Sequence, residues 1–222
     1  MPTTAIAPEF AQRTLLRPDA ARPDVLARIE PANDKAMAAA RTHLTVLDAA
    51  HPETGQHARR VSALCATLAK AAGYNHSTVE TARLAGLLHD IGKAAIDPAL
   101  LNAPRRLTTV EKSTVDRHAQ LGGRMLKGDA TLAHVQSAVA HHHDRWDGKA
   151  STCSGEDIPL AARIVAVVDA WDAMTMPRPY APALDAPTAR QELARCAGTQ
   201  FDPSLVGTFL ALMGRVAFAR SA

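Results

Sequence analysis

Three consecutive histidines, His141-His142-His143, run directly into Asp144. Such a run at a helix end is rare by chance, and imidazole is the commonest metal ligand. The competing reading is an exposed polar end, because His near a helix C-terminus is favoured by the helix dipole. His89-Asp90 closes the stretch from Arg83 to Lys93, whose apolar residues deliver both groups to a buried end. A buried Asp needs a cation or hydrogen-bond donors, and metal or backbone amides would serve. Glu53 and His57 are four apart, so they share one helix face and can reach one ion; a solvated surface pair has the same spacing. Asp169 interrupts the apolar run that begins at Val165, and Asp172 follows about one turn later. An ion pair with Arg163 or Arg178 would satisfy either carboxylate as well as a metal would. His118 stands alone.

These separated places supply roughly eight His and carboxylate donors, against the four of one tetrahedral ion. That is enough for two or three ions. Mixed nitrogen and oxygen donors suit iron, manganese, zinc or nickel rather than calcium. Metal pairs about 3.5–4 Å apart activate water and clamp a phosphoryl group.

Helices must position these groups. The chain has 222 residues, enough for one large domain or one domain with an appendage. Hydrophobic residues make up 47% and charged residues 21%, which excludes a wholly disordered chain. Aromatics are only 4%, so Ala, Leu and Val must build the core, and that favours helix packing over a β-sandwich. The spacing of caps and breaks predicts about eight helices and no strand. Gly73 reads as a C-cap, Ser77 to Glu80 and Thr108 to Glu111 as capping boxes, and Asp202-Pro203 as an N-cap followed by proline at the first helical position. Prolines at 2, 8, 18, 23 and 31 mark residues 1–32 as a tail or docking segment, with the functional domain over 33–222.

Other partners are constrained by charge and cysteine usage. The net charge of +3 is too small to argue for a nucleic-acid polymer or a membrane surface. No apolar run is long enough to span a bilayer, and no secretory signal is expected. Cys65, Cys153 and Cys196 are odd in number and widely spaced, which argues against a disulfide framework or a zinc finger and for a reducing, cytoplasmic setting. Cys65 reads as packing, and Trp146 and Trp171 as core or pocket walls. A protein partner or homodimer stays open.

Taken together, the residues resemble the HD-GYP branch of the HD phosphohydrolase superfamily over about residues 34–213. The matching elements are Glu53-Thr-Gly-Gln-His57, His89-Asp-Ile-Gly-Lys93, His118, His142-His143 with Arg145-Trp-Asp-Gly148, Ile158-Pro159, Asp169-Ala-Trp-Asp-Ala-Met174, Arg178-Pro-Tyr180 and Gly198-Thr-Gln-Phe-Asp-Pro203. The resemblance implies an all-α, compact helical bundle around two or three divalent transition metals, often iron. It implies hydrolysis of cyclic di-GMP to the linear dinucleotide and, in some members, on to GMP. By matched position the metal ligands are Glu53, His57, His89, Asp90, His118, His142, His143 and Asp169, with Asp90 bridging. Asp90, Lys93 and Asp169 are then the catalytic residues, and Lys93, Arg178 and Trp146 contact substrate. His141 falls one place outside the matched pair.

The chain also departs from the pattern. The Gly-Tyr-Pro signature is absent, and Lys149 to Asp157 forms a shorter segment in its place. Asp144 replaces the usual Glu, and Ala181-Pro182 follows Arg178-Pro-Tyr180 where a basic residue is expected. The metal shell is thus complete while the substrate side is eroded. The leading expectation is a phosphodiesterase in which hydroxide held between metals attacks phosphorus in line. The alternatives are a catalytically weak module that binds metal and nucleotide, and a phosphohydrolase for a different nucleotide.

Overall fold

The computed structural model describes residues 23–103, 105–177 and 182–219. Among them lie ten α-helices: α1 (Pro23–Ala50), α2 (Pro52–Ala71), α3 (His76–Leu88), α4 (Pro98–Leu101), α5 (Thr109–Asp116), α6 (His118–Leu126), α7 (Gln136–His141), α8 (Leu160–Thr175), α9 (Ala186–Cys196) and α10 (Pro203–Ala219). Short 3₁₀ turns at Ile91–Ala95, Ala133–Val135 and Gly155–Asp157 join them. The described residues form no strand beyond an isolated bridge between Ala197 and Phe201. The all-α class is therefore what the composition predicts. No helix among the described residues is long and apolar enough to cross a membrane.

Local chemistry explains most boundaries. Gly73 takes a left-handed φ of 79° and closes α2, where a side chain would strain the backbone. Thr108 and Glu111 form the expected reciprocal capping box of α5. Asp202 accepts from the Ser204 amide at 2.9 Å at the start of α10. The cap of α3 differs from expectation: Asn75, not Ser77, accepts from the Thr78 amide at 2.9 Å. Glu80 is engaged instead by Arg83.

Two further expectations are corrected. Residues 1–22 of the expected tail lie outside the described residues, but the remainder is helical, since α1 starts at Pro23. Pro23 stands at the first helical position, where its missing N–H is no loss. Pro31 forfeits one hydrogen bond inside the helix, a cost of about 3 kcal/mol. Docking offsets it, because Ala36, Ala40, Leu44 and Leu47 bury one stripe of α1. The second difference is the helix count. The segment expected as one helix from Thr108 to Met125 breaks at Arg117 into α5 and α6, and α4 is a single extra turn.

Two clusters of buried side chains hold the helices. One joins Val61, Leu68, Ile164, Val168, Leu193 and Phe209. The other joins Leu47, Leu84, Leu88, Ile91, Leu126 and Val139. Each fully buried Leu, Ile or Phe contributes roughly 1.5–3 kcal/mol. Helices α2 and α3 feed both clusters, and their backbones approach closely at Gly86, where an added Cβ would meet Cys65 Sγ at 2.9 Å and Ser62 Cα at 3.1 Å. The chemically active residues lie at this seam. His57 precedes buried Ala58, Leu88 and Ile91 flank His89-Asp90, and Asp169 follows Val168.

Candidate metal centre

Each donor is delivered by a helix, and most by a helix end. His57 projects from α2 and Asp169 from α8. His89 caps the end of α3 and Asp90 precedes the Ile91–Ala95 turn. The break at Arg117 turns His118 inward as the first residue of α6. His142 and His143 follow the end of α7.

Two groups of donors result. His57, His89 and Asp169 form one, and His118, His142 and His143 the other, with the donor atoms of each group within 4.8 Å of one another. Asp90 stands between them. Its Oδ1 is 3.1 Å from His118 Nε2, while its Oδ2 is 3.4 Å from His89 Nε2. His89, Asp90, His118 and His142 are all buried.

The imidazoles are anchored from behind. Nδ1 of His89, His118 and His142 donates to the carbonyls of Gly86, Val115 and Val139 at 2.9, 2.7 and 2.7 Å. Their Nε2 atoms are therefore the free ends, and these converge. His118 Nε2 is 3.3 Å from both His142 Nε2 and His143 Nε2. His57 Nε2 is 3.3 Å from His89 Nε2. In a neutral imidazole anchored this way, Nε2 carries a lone pair and no proton. Lone pairs facing one another repel, whereas a shared cation binds both. Nitrogen donors with carboxylate oxygens suit a divalent transition metal.

Electrostatics agree with this donor role. Burial lowers the pKa of His89, and burial together with His143 pushes His142 well below the usual imidazole range. Loss of solvation and the neighbouring His118 bring His143 to about 4. These three are neutral ligands near pH 7. His57 behaves oppositely: burial disfavours its charge, but hydrogen bonds to Asp169 and Asp172 outweigh that and raise it to about 9. Burial works against ionisation of Asp90, yet Lys93 and His89 hold it well below the carboxylate range. Lys93 Nζ donates to Asp90 Oδ2 at 2.6 Å. Ionised Asp90 and Asp169 thus sit beside the neutral imidazoles of His89, His142 and His143 and the protonated ring of His57.

Arg60 is a functional residue that sequence reasoning missed. It donates from Nε to Asp172 Oδ1 and from a terminal nitrogen to Oδ2, both at 2.8 Å. Asp172 Oδ2 in turn lies 2.6 Å from His57 Nδ1. Of the two arginines that an ion pair with Asp169 or Asp172 could have used, Arg163 instead pairs with Asp202 at 2.8 Å. The signal was available, since Arg60 is three residues beyond His57 and shares its helix face. Despite burial, Arg60 and His57 hold the Asp172 carboxyl at about 2 instead of 3.8. That contribution to stability is complete above the ordinary value and lost as pH falls toward about 2. Arg60→Ala is expected to cost about 1–2 kcal/mol, or roughly 2–8 °C in Tm. It should also move acid unfolding, followed by circular dichroism, to higher pH.

The remaining expected residues are placed as follows. Glu53 is exposed in the first turn of α2, outside both donor groups. The Trp146 ring lies under the Arg163 guanidinium, 5.7 Å from the ring centroid. Arg178 lies outside the described residues. His141 joins neither group and turns to Asp144 at 2.8 Å. Cys65 packs in the core, as expected.

A family model described as HD domain matches residues 43–205. Over 164 residues the chain is 40% identical to a cyclic di-GMP phosphodiesterase of Pseudomonas aeruginosa, with 72% of this chain and 39% of that protein covered. Over 168 residues it is 33% identical to a 3'3'-cGAMP-specific phosphodiesterase of Vibrio cholerae, covering 74% of this chain and 32% of the relative. The chain thus spans well under half the length of these curated relatives. An HDG"Y"P protein from Bdellovibrio bacteriovorus shares the fold with a TM-score of 0.58 at 16% identity, covering 72% of this chain and 52% of that one. With the matched residues enclosing both donor groups and the aspartate between them, the chain belongs to the HD domain family.

Proposed function

We propose that this chain is a metal-dependent phosphodiesterase that opens a cyclic dinucleotide, cyclic di-GMP first among them, to the linear dinucleotide. The observation that carries the reading is the pair of donor groups meeting at Asp90, one carboxylate oxygen toward each. Relatives named for cyclic di-GMP and 3'3'-cGAMP support the substrate class. His57, His89 and Asp169 would hold one divalent ion, and His118, His142 and His143 a second, with Asp90 shared. Iron is the leading candidate, with manganese, zinc or nickel compatible with the same donors. Glu53 is left for a third ion. We place the protein in the cytoplasm, a reading that its three free cysteines support.

Such ions supply Lewis acidity and an activated water for in-line attack on phosphorus. Two divalent ions against Asp90 and Asp169 leave the centre about two charges positive, which draws in an anionic phosphodiester. Lys93 adds a cation at the same place, held by Asp90 and free to turn toward developing charge on phosphoryl oxygens. Arg178 would hold the other substrate phosphate. Arg60 and Asp172 fix the His57 ring.

Chelation tests the metal requirement. Protein stripped with a chelator should lose hydrolysis and regain it with Fe²⁺ or Mn²⁺. At a hundredfold excess over Kd, each restored site adds about 2.7 kcal/mol, or roughly 5–11 °C in Tm. Hydrolysis and melting temperature unchanged by chelation would count against the proposal.

A further inference from the structure

We propose that His141, Asp144 and Cys153 form a separate site for a borderline-soft divalent cation of the zinc class, which fastens the 149–157 segment to the end of α7. None of the three belongs to the ligand set described above, and their donor atoms lie within 4.8 Å of one another.

One atom in this group is overcommitted, and one is nearly unpartnered. His141 Nδ1 is 2.8 Å from Asp144 Oδ2, 3.1 Å from Thr152 Oγ1 and 3.9 Å from Cys153 Sγ. Asp144 Oδ2 accepts from His141 Nδ1, from the Thr152 hydroxyl at 2.8 Å and from the Cys153 amide at 3.3 Å, so hydrogen bonding crowds three donors onto one oxygen and leaves the Cys153 thiol with contacts only at 3.9 Å. An ion at the centre of the group serves all of them. Ligands around tetrahedral zinc are spaced by about 3.3–3.6 Å, given bonds of about 2.0–2.3 Å. The observed separations straddle that range, so shifts of a few tenths of an ångström suffice. Thr152 Oγ1, 2.8 Å from Asp144 Oδ2, stands at the fourth corner, where it or water completes the shell.

Donor type selects the cation and its role. A thiolate beside imidazole and carboxylate favours zinc over magnesium or calcium. Binding would release the thiol proton to solvent and form a metal–sulfur bond. One divalent ion against one thiolate and one carboxylate is then formally neutral, unlike the central pair. A neutral site has no pull on a phosphodiester, which points to a structural clip. The segment it would fasten is already shaped by left-handed φ values at Gly148, Ala150 and Gly155. It also carries the hydrogen bond from the Arg145 amide to Ser151 Oγ at 2.6 Å.

The test is cobalt substitution in the whole chain, read without any activity. The central donors include no sulfur, so a thiolate-to-cobalt charge-transfer band in the near ultraviolet reports this site alone. The expected result is a band in the wild type and in Asp90→Asn, and its loss in both Cys153→Ser and His141→Ala. Zinc content by atomic spectroscopy should fall by about one ion per chain in those two variants. No band in the wild type, or a band that survives Cys153→Ser, would overturn the proposal. Because Asp90→Asn perturbs only the central pair, failure of the phosphodiesterase reading is distinguishable from failure of this one.

Discussion

Asp90→Asn protein is expected to keep its helical content and lose hydrolysis of cyclic di-GMP by at least about a thousandfold. The substitution preserves volume, so the surrounding packing has little reason to change. It removes the carboxylate whose two oxygens face the two donor groups, 3.1 Å from His118 and 3.4 Å from His89. Of the two proposed ions, the one at His118, His142 and His143 should be lost first, because no carboxylate remains among its donors. Metal content should fall together with activity. Lys93 loses its partner but is partly exposed and can reach solvent, so stability should change far less than activity. Replacing His89 and Asp90 together with alanine removes two donors and should abolish turnover. Hydrolysis that survives in the double variant would contradict the site assignment.

Gly92→Ala is expected to damage the same centre through the backbone. A Cβ at Gly92 would lie 2.0 Å from the His118 carbonyl oxygen and 2.6 Å from the Gly122 amide nitrogen. Both are main-chain atoms of α6 and cannot rotate away. The Ile91–Ala95 turn must therefore back off from α6, which separates Asp90 and Lys93 from His118. Overpacking of this kind costs about 1–3 kcal/mol, or roughly 2–12 °C in Tm. A misplacement of about 1 Å costs on the order of a hundredfold in rate. Gly207→Ala is the control: it is exposed in α10, with nothing within 4 Å of the added Cβ. That change should stabilise by about 0.5–1 kcal/mol, the difference between Gly and Ala in a helix. Equal melting temperatures and rates for Gly92→Ala and wild type would show that the close approach does not hold the centre together.

The buried donors were legible in the sequence because they interrupt apolar helices. Asp169 within its apolar run and His89-Asp90 at the end of another have no role in packing, so their chemistry shows through the pattern. The caps at Gly73, Thr108 and Asp202 were legible for a related reason, since each depends only on its own neighbours. What escaped was set by tertiary contacts. Pro31 disfavours a long helix locally, yet the stripe from Ala36 to Leu47 docks and carries α1 through it. The break at Arg117 has no proline or glycine to mark it, and its result is the inward turn of His118. Arg60 finds its partner only when Asp172, from a distant part of the chain, is folded against it. Glu53 matched by spacing, and the fold sets it exposed in the first turn of α2, outside the two buried donor groups.

Under the proposed function, Asp90 would be shared by two divalent ions in a chain that opens a cyclic dinucleotide. The most direct measurement is cyclic di-GMP turnover by protein purified without oxygen and reconstituted with iron or manganese, with metal quantified on the same sample. The account predicts linear dinucleotide as product, with at least two ions bound at the central donors and both metal and product lost in Asp90→Asn. Full metal occupancy without product from cyclic di-GMP or 3'3'-cGAMP would contradict it and leave a binding module in place of an enzyme.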